Sequence, residues 1–229
     1  MKRIVSFLMV FHLLMFHCLM AQRSFSFTDD QLSDNRIHAI CEDSIGFIWI
    51  GTENGLNKFD GYRFYHYYPD DSDSLSLISN YVRSLCRDRD GRLWIGQNRG
   101  IQYMNPGDNV FHGVEFPEGN HPYVQQIVQF RDGRIWIATL GSGIYVIDPS
   151  EPDRAEGVSA INSVTETNSV FRVILEDEQG IVWLGASQGL WRYEPATETM
   201  RLFMPDEINS DVVGLNRDVR GDIFITTRR

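Results

Sequence analysis

Five copies of one pattern constrain this chain more than anything in its composition. A glycine, a tryptophan three residues later and flanking aliphatic residues recur at Gly46-Phe-Ile-Trp49-Ile-Gly51, Gly91-Arg-Leu-Trp94-Ile-Gly96, Gly133-Arg-Ile-Trp136-Ile-Ala138 and Gly180-Ile-Val-Trp183-Leu-Gly185. A worn copy follows at Gly221-Asp-Ile-Phe224-Ile-Thr226. The leading glycines stand 45, 42, 47 and 41 residues apart, too regular for chance and too variable for a rigid solenoid. Self-similarity at such a period marks a stack of supersecondary units.

The pattern extends on both sides of the glycine. Nine residues before it stand Ile37, Val82, Val124, Phe171 and Val212, and six before it Ile40, Leu85, Ile127, Ile174 and Leu215. Asp43, Asp88, Asp177 and Asp218 stand three before; the third copy has Phe130 there, with Asp132 next to the glycine. Asp-x-x-Gly reads as a tight turn in which Asp bonds nearby backbone and Gly takes a positive φ. A second turn closes on Gly55, Gly100, Gly143 and Gly189, and two further short runs follow, the outer one clearest at Phe64-Tyr-His-Tyr-Tyr68. Four short strands in a unit of about 40–50 residues is one blade of a β-propeller.

The expected fold is therefore all-β: four four-stranded blades over residues 37–80, 81–123, 124–169 and 170–211, and a partial fifth over 212–229. Each repeated Trp sits in a strand apolar on both faces, as a sheet covered on both sides requires, so packing between blades is its expected role. Residues 22–36 read as a lead-in whose Phe25-Ser-Phe27 imitates an outer strand, ready to close the ring with a last blade. Four blades and a fragment would leave unpaired sheet edges, which argues for the N-terminal part of a larger propeller.

Residues 1–21 open on Lys2 and Arg3, continue through an apolar run and reach Ala21, the form of a secretory signal peptide cleaved after Ala21. The mature chain would keep Cys41 and Cys86 at one repeat position in adjacent units, expected as two buried thiols. Removal of the signal leaves 19 basic against 31 acidic residues, a charge of −12. Such a surface, without a basic stripe, excludes nucleic acid as a ligand of this segment. Asp70-Asp71-Ser72-Asp73 lacks the glycine and distant glutamate of an EF-hand, so no metal is expected, and no phosphate loop or other cofactor motif occurs. The carboxylates fall at turn positions and the histidines at no ligand spacing, so no catalytic residue is expected.

The run Ser33-Asp-Asn-Arg-Ile37, the string from Asp43 through Trp49, Gly51, Gly55 and Leu56 to Asp60, and the linker Pro69-Asp-Asp-Ser-Asp-Ser-Leu75 resemble the two-component regulator propeller repeat. That family forms the periplasmic sensor region of hybrid two-component histidine kinases in Bacteroidetes. The resemblance implies an oligosaccharide ligand released from complex glycans, further propeller, membrane and kinase parts of the same polypeptide, an inner-membrane anchor, and a homodimer as a candidate state of the full protein. A free-standing glycan-binding or scaffold propeller, or a propeller glycosidase or lyase, is the alternative. Non-repeating aromatics on which a sugar could stack, Trp191 and Tyr62, are the candidate ligand-binding residues.

Overall fold

The computed structural model describes residues 31–162 and 170–228. The signal segment, Phe25-Ser-Phe27 and the end of the third unit lie outside them. Eighteen strands follow in order. The first sheet is β1 (Ile37–Glu42), β2 (Ile48–Thr52), β3 (Gly55–Phe59) and β4 (Phe64–Tyr67), and the second is β5 (Val82–Arg87), β6 (Leu93–Gln97), β7 (Gly100–Met104) and β8 (His112–Gly113). The third is β9 (Tyr123–Gln129), β10 (Ile135–Leu140), β11 (Ile144–Ile147) and β12 (Ala155–Gly157); the fourth is β13 (Phe171–Glu176), β14 (Val182–Ala186), β15 (Gly189–Glu194) and β16 (Thr199–Phe203). A fifth, two-stranded sheet joins β17 (Asp211–Arg217) to β18 (Ile223–Arg228). Every sheet is an antiparallel meander in chain order, and among the described residues the sheets do not close into a ring. The all-β propeller expectation holds. The longest helical stretch among the described residues is Ser159–Asn162.

The Asp-x-x-Gly turns are built by their own carboxylates. Asp43 Oδ1 accepts the backbone N–H groups of Ile45 and Phe47, each at 2.9 Å, while Gly46 takes φ +96°. The second oxygen does something turn chemistry alone does not show. Asp43 Oδ2 accepts from Trp49 Nε1 at 2.8 Å, Asp88 Oδ2 from Trp94 Nε1 at 2.9 Å and Asp177 Oδ2 from Trp183 Nε1 at 2.8 Å. One carboxylate thus closes the hairpin and fixes the indole. In the third unit Phe130 replaces the carboxylate and lies with its ring centroid 5.1 Å from that of Trp136, whose buried Nε1 has no hydrogen-bond partner among the described residues. In the fifth, Phe224 replaces the tryptophan and Asp218 Oδ2 turns to Arg220 Nε at 3.1 Å.

The apolar interior is a series of layers between sheets. Trp49 clusters with Val82, Leu93 and Ile95 of the second sheet; Trp94 with Val124, Ile127 and Ile135 of the third; Trp136 with Phe171, Ile174 and Val182 of the fourth. Val173 and Leu190 meet Val212 and Leu215, with Trp183 half-buried alongside. The glycine two residues after Trp49, Trp94 and Trp183 is needed for closeness, since its φ is ordinary. A Cβ on Gly51 would lie 2.6 Å from Val82 Cγ1, and one on Gly96 2.6 Å from Val124 Cγ1.

Polar ties reinforce the same interfaces at the hairpin end. Arg89 donates from Nη1 and Nη2 to the carbonyls of Arg131 and Phe130 at 3.1 and 3.2 Å, in the next sheet's hairpin. Arg131 repeats the move onto the carbonyls of Glu178 and Asp177 in the fourth sheet. Cys41 and Cys86 are free and half-buried, less enclosed than expected; burial pushes the Cys86 thiol up to about 11.

Candidate functional site

The first strand of every sheet carries one irregularity at the same place. Pairing with the second strand skips a residue between Ile37 and Ala39, between Val82 and Ser84, between Val124 and Gln126, between Phe171 and Val173, and between Val212 and Gly214. The residues left out of register are His38, Arg83, Gln125, Arg172 and Val213. A bulge bends the strand and re-aims the extra side chain. First strands of successive sheets are neighbours, so these residues form a row. Four of the five are polar; Arg83, Gln125 and Arg172 each directly follow an apolar residue buried between sheets, Val82, Val124 and Phe171, whereas Ile37 ahead of His38 is exposed. That polar column was readable in the sequence, yet apolar periodicity passes over it because a bulge breaks the two-residue alternation.

Around the first two members of the row, His38 and Arg83, the structure gathers a compact cluster. Arg83 Nη1 lies 3.0 Å from His38 Nδ1. A guanidinium only donates, so Nδ1 is the acceptor and the neutral ring carries its proton on Nε2. That nitrogen faces Glu53 Oε1 at 3.5 Å, an ion-pair distance too long or misaligned for a hydrogen bond, and Nε2 stays buried and unbonded. Glu53 Oε2 is held instead by Arg36 Nη1 at 2.5 Å, and the Arg36 backbone N–H donates to Asp34 Oδ1 at 2.8 Å, which holds that carboxyl below the usual range. The His38 and Tyr81 ring centroids are 4.9 Å apart and those of Tyr81 and Tyr123 5.7 Å apart, a run of aromatic faces across three sheets. Burial, then the hydrogen bond to Tyr81, raises the Tyr123 phenol well above its ordinary value. Chain direction explains the convergence: starts of first strands and the turn after the second strand share one end of each antiparallel sheet.

Neither aromatic candidate from the sequence is part of this cluster. Tyr62 is 95 % exposed in the turn between β3 and β4, at the opposite end of the first sheet from Glu53. Trp191 lies in β15, opposite Leu184 and Leu202, half-buried against the layer between the third and fourth sheets. The structure does not bring the two together. The acidic linker borders a cleft of about 530 Å³ with Arg99, Phe116 and His121. Asp70 Oδ1 there accepts from Ser72 N and Oγ at 2.9 and 2.6 Å, and Asp73 Oδ1 from Leu75 N at 2.9 Å. These are turn bonds, and no group of three metal-ligating side chains occurs among the described residues.

Comparison with known proteins agrees with the repeat. Residues 31–54 and 76–99, which hold the first two strands of the first two sheets, match the two component regulator propeller family. A stretch of 54 residues is 50% identical to Histidine kinase P4 of Formosa agariphila, covering 22% of this chain and 4% of that protein. The extracellular domain of a putative one component system from B. thetaiotaomicron superposes with a TM-score of 0.74 at 22% identity, over 90% of this chain and 31% of that one. The extracellular domain of a putative hybrid two component system from the same organism gives 0.53 at 22% identity, over 89% and 34%. Virginiamycin B lyase from Staphylococcus aureus gives 0.64 at 15% identity, over 90% and 67%, a likeness of fold alone. The chain thus spans about a third of the solved sensor domains whose fold it shares, and in its first two repeats it matches the two component regulator propeller family.

Proposed function

We propose that this chain is the ligand-sensing propeller segment of an exported hybrid two-component sensor, and that its ligand is an oligosaccharide released from a complex glycan. One observation carries the reading: the first three sheets each contribute to a single cluster in which aromatic faces and hydrogen-bonding groups alternate, through His38 and Glu53, Tyr81 and Arg83, and Tyr123. Sugar rings bind on such surfaces, the apolar face stacked on an aromatic ring and the hydroxyls met by polar groups. A site built from separate sheets also reports on their relative position, which a sensor needs. The kinase relative, though matched over a small part of its length, supports a signalling context.

On this reading residues 1–21 direct export and are removed, the units 37–80, 81–123, 124–169, 170–211 and 212–229 are successive blades, and the propeller works on the periplasmic side of a protein anchored in the inner membrane. The segment binds and transmits; phosphoryl chemistry belongs to other parts of the complete protein. Binding shifts signalling only through a difference in affinity between the two signalling states. The test is autophosphorylation of the full-length protein against a panel of oligosaccharides, with Tyr81→Ala and Tyr123→Ala as variants. A saccharide that changes the phosphorylation rate in the wild type and fails in both variants supports the reading. A response untouched by either substitution places sensing elsewhere.

A further inference from the structure

Building on the oligosaccharide reading above, we infer that the ligand carries an acidic group, a carboxylate or a sulfate, and that Arg83 is the residue that holds it.

This chain pairs its half-buried arginines with carboxylates, with one exception among the described residues. Four are half-buried among the described residues: Arg83, Arg92, Arg172 and Arg192. Arg92 Nη1 lies 3.6 Å from both Asp88 and Asp90, Arg172 Nε 2.5 Å from Asp211, and Arg192 Nη1 3.2 Å from Glu194. Arg83 alone of the four has no carboxylate within ion-pair distance among the described residues. Its one hydrogen bond there goes to the neutral imidazole of His38. Withdrawing a guanidinium from water without a counter-charge is costly, and proteins normally supply the partner. The nearest acid in the cluster, Glu53, is turned to Arg36.

The surroundings say what could complete the pair. A guanidinium presents five N–H groups in a planar fork that fits a carboxylate or sulfate through two parallel bonds, and His38 uses one of them. Arg83 sits on the bulged position and bonds His38, whose ring lies 4.9 Å from Tyr81 in the aromatic run that continues to Tyr123. An acidic sugar could stack on a tyrosine while its anionic group meets the fork. The chain carries −10 overall, so a half-buried cation left without a carboxylate here favours acidic ligands against the general repulsion of the surface.

The decisive experiment presents the full-length protein to an array of uronate-bearing, sulfated and neutral oligosaccharides, then measures affinities by calorimetry for the wild type, Arg83→Gln and Arg83→Lys. Acidic members are expected to bind, the carboxylate and sulfate arms deciding which anion is read. Arg83→Gln should weaken them about 10- to 100-fold, the worth of one or two charge-assisted hydrogen bonds. Arg83→Lys, which keeps the charge and loses the fork, should fall between. Added salt should weaken wild-type binding and leave Arg83→Gln nearly unaffected. Thermal melts of each variant within about 2 °C of the wild type separate a ligand contact from a fold defect. Binding confined to neutral sugars, or acidic binding that Arg83→Gln leaves unchanged, would overturn the assignment while the sensor reading stands. No binding and no phosphorylation response anywhere on the array would bring down both.

Discussion

Asp88 shows how much one repeated residue does here. Its carboxylate is buried, accepts the Arg92 backbone N–H at 2.8 Å and Trp94 Nε1 at 2.9 Å, and so ties a turn to an interface. The third unit is a natural control, with Phe130 in place of the acid and no partner for Trp136 Nε1 among the described residues. Trp94→Phe should therefore cost about 1–3 kcal/mol more than Trp136→Phe, because only the first takes the hydrogen bond from a buried carboxylate oxygen, Asp88 Oδ2. Urea melts of both variants measure the difference, and equal costs would remove the Asp–Trp bond from the account of stability. Cys86 yields a second prediction at this scale. A thiol raised to about 11 is neutral in the fold, so stability from keeping it neutral is complete below the unfolded value near pH 9 and is lost as pH rises toward 11. Below pH 9 its thiolate fraction should be about 100-fold under that of an ordinary thiol, and iodoacetamide at pH 8 should modify it correspondingly slowly until the protein is unfolded.

At the level of elements, the repeat's glycines divide by physical cause. Gly133, at φ +89° with open space around it, is needed for a turn; Gly96, at ordinary φ, is needed because Val124 Cγ1 and Ile127 Cδ1 of the next sheet would lie 2.6 and 3.0 Å from its Cβ. Gly133→Ala should cost about 1–2 kcal/mol through left-handed backbone strain, and Gly96→Ala about 1–3 kcal/mol through overpacking. The two separate in a second substitution. Val124→Ala should rescue much of the Gly96→Ala loss and none of the Gly133→Ala loss, read as a coupling in a double-mutant cycle. Position 138 shows the tolerated alternative: the third sheet carries Ala138 there, fully buried, and the next sheet meets it with Phe171 in place of valine. The bulge in each first strand is the other element-scale device, since it spends one residue per sheet on a side chain that serves neither adjoining layer.

Taken whole, the molecule has no single centre of stability. Four apolar layers lie between five sheets, and each sheet packs on its sequence neighbours. Stability in such an array is close to a sum over units and nearest interfaces. Trp49→Ala and Trp136→Ala, in separate layers, should add to within about 0.5 kcal/mol, whereas Trp94→Ala with Val124→Ala, in one layer, should not. Urea midpoints of the singles and doubles test it, and strong coupling between the separate layers would show that they share one cooperative core. The same arrangement suits the proposed role, because a ligand touching three sheets at once favours one setting of their mutual angles, provided its affinity differs between settings.

Repeat number, turn positions, the apolar columns and the tryptophans as interior residues were all legible in the sequence, because short-range chemistry decides them: Gly for positive φ, Asp for the turn, apolar residues on a covered strand. Tertiary structure alone decided the rest. That Asp88 binds Trp94, that Gly96 is shaped by Val124 of the next sheet, and that His38, Tyr81, Arg83 and Tyr123 meet, all depend on contacts between residues about 6 to 45 positions apart. Tyr62 and Trp191 stand out in the sequence as aromatics off the repeat, but exposure and convergence are properties of neighbours. One of them points into solvent at the far end of its sheet and the other is half-buried between two sheets, while the polar residues that do converge sit in a column whose meaning appears only once the bulge has turned it out of the strand's alternation.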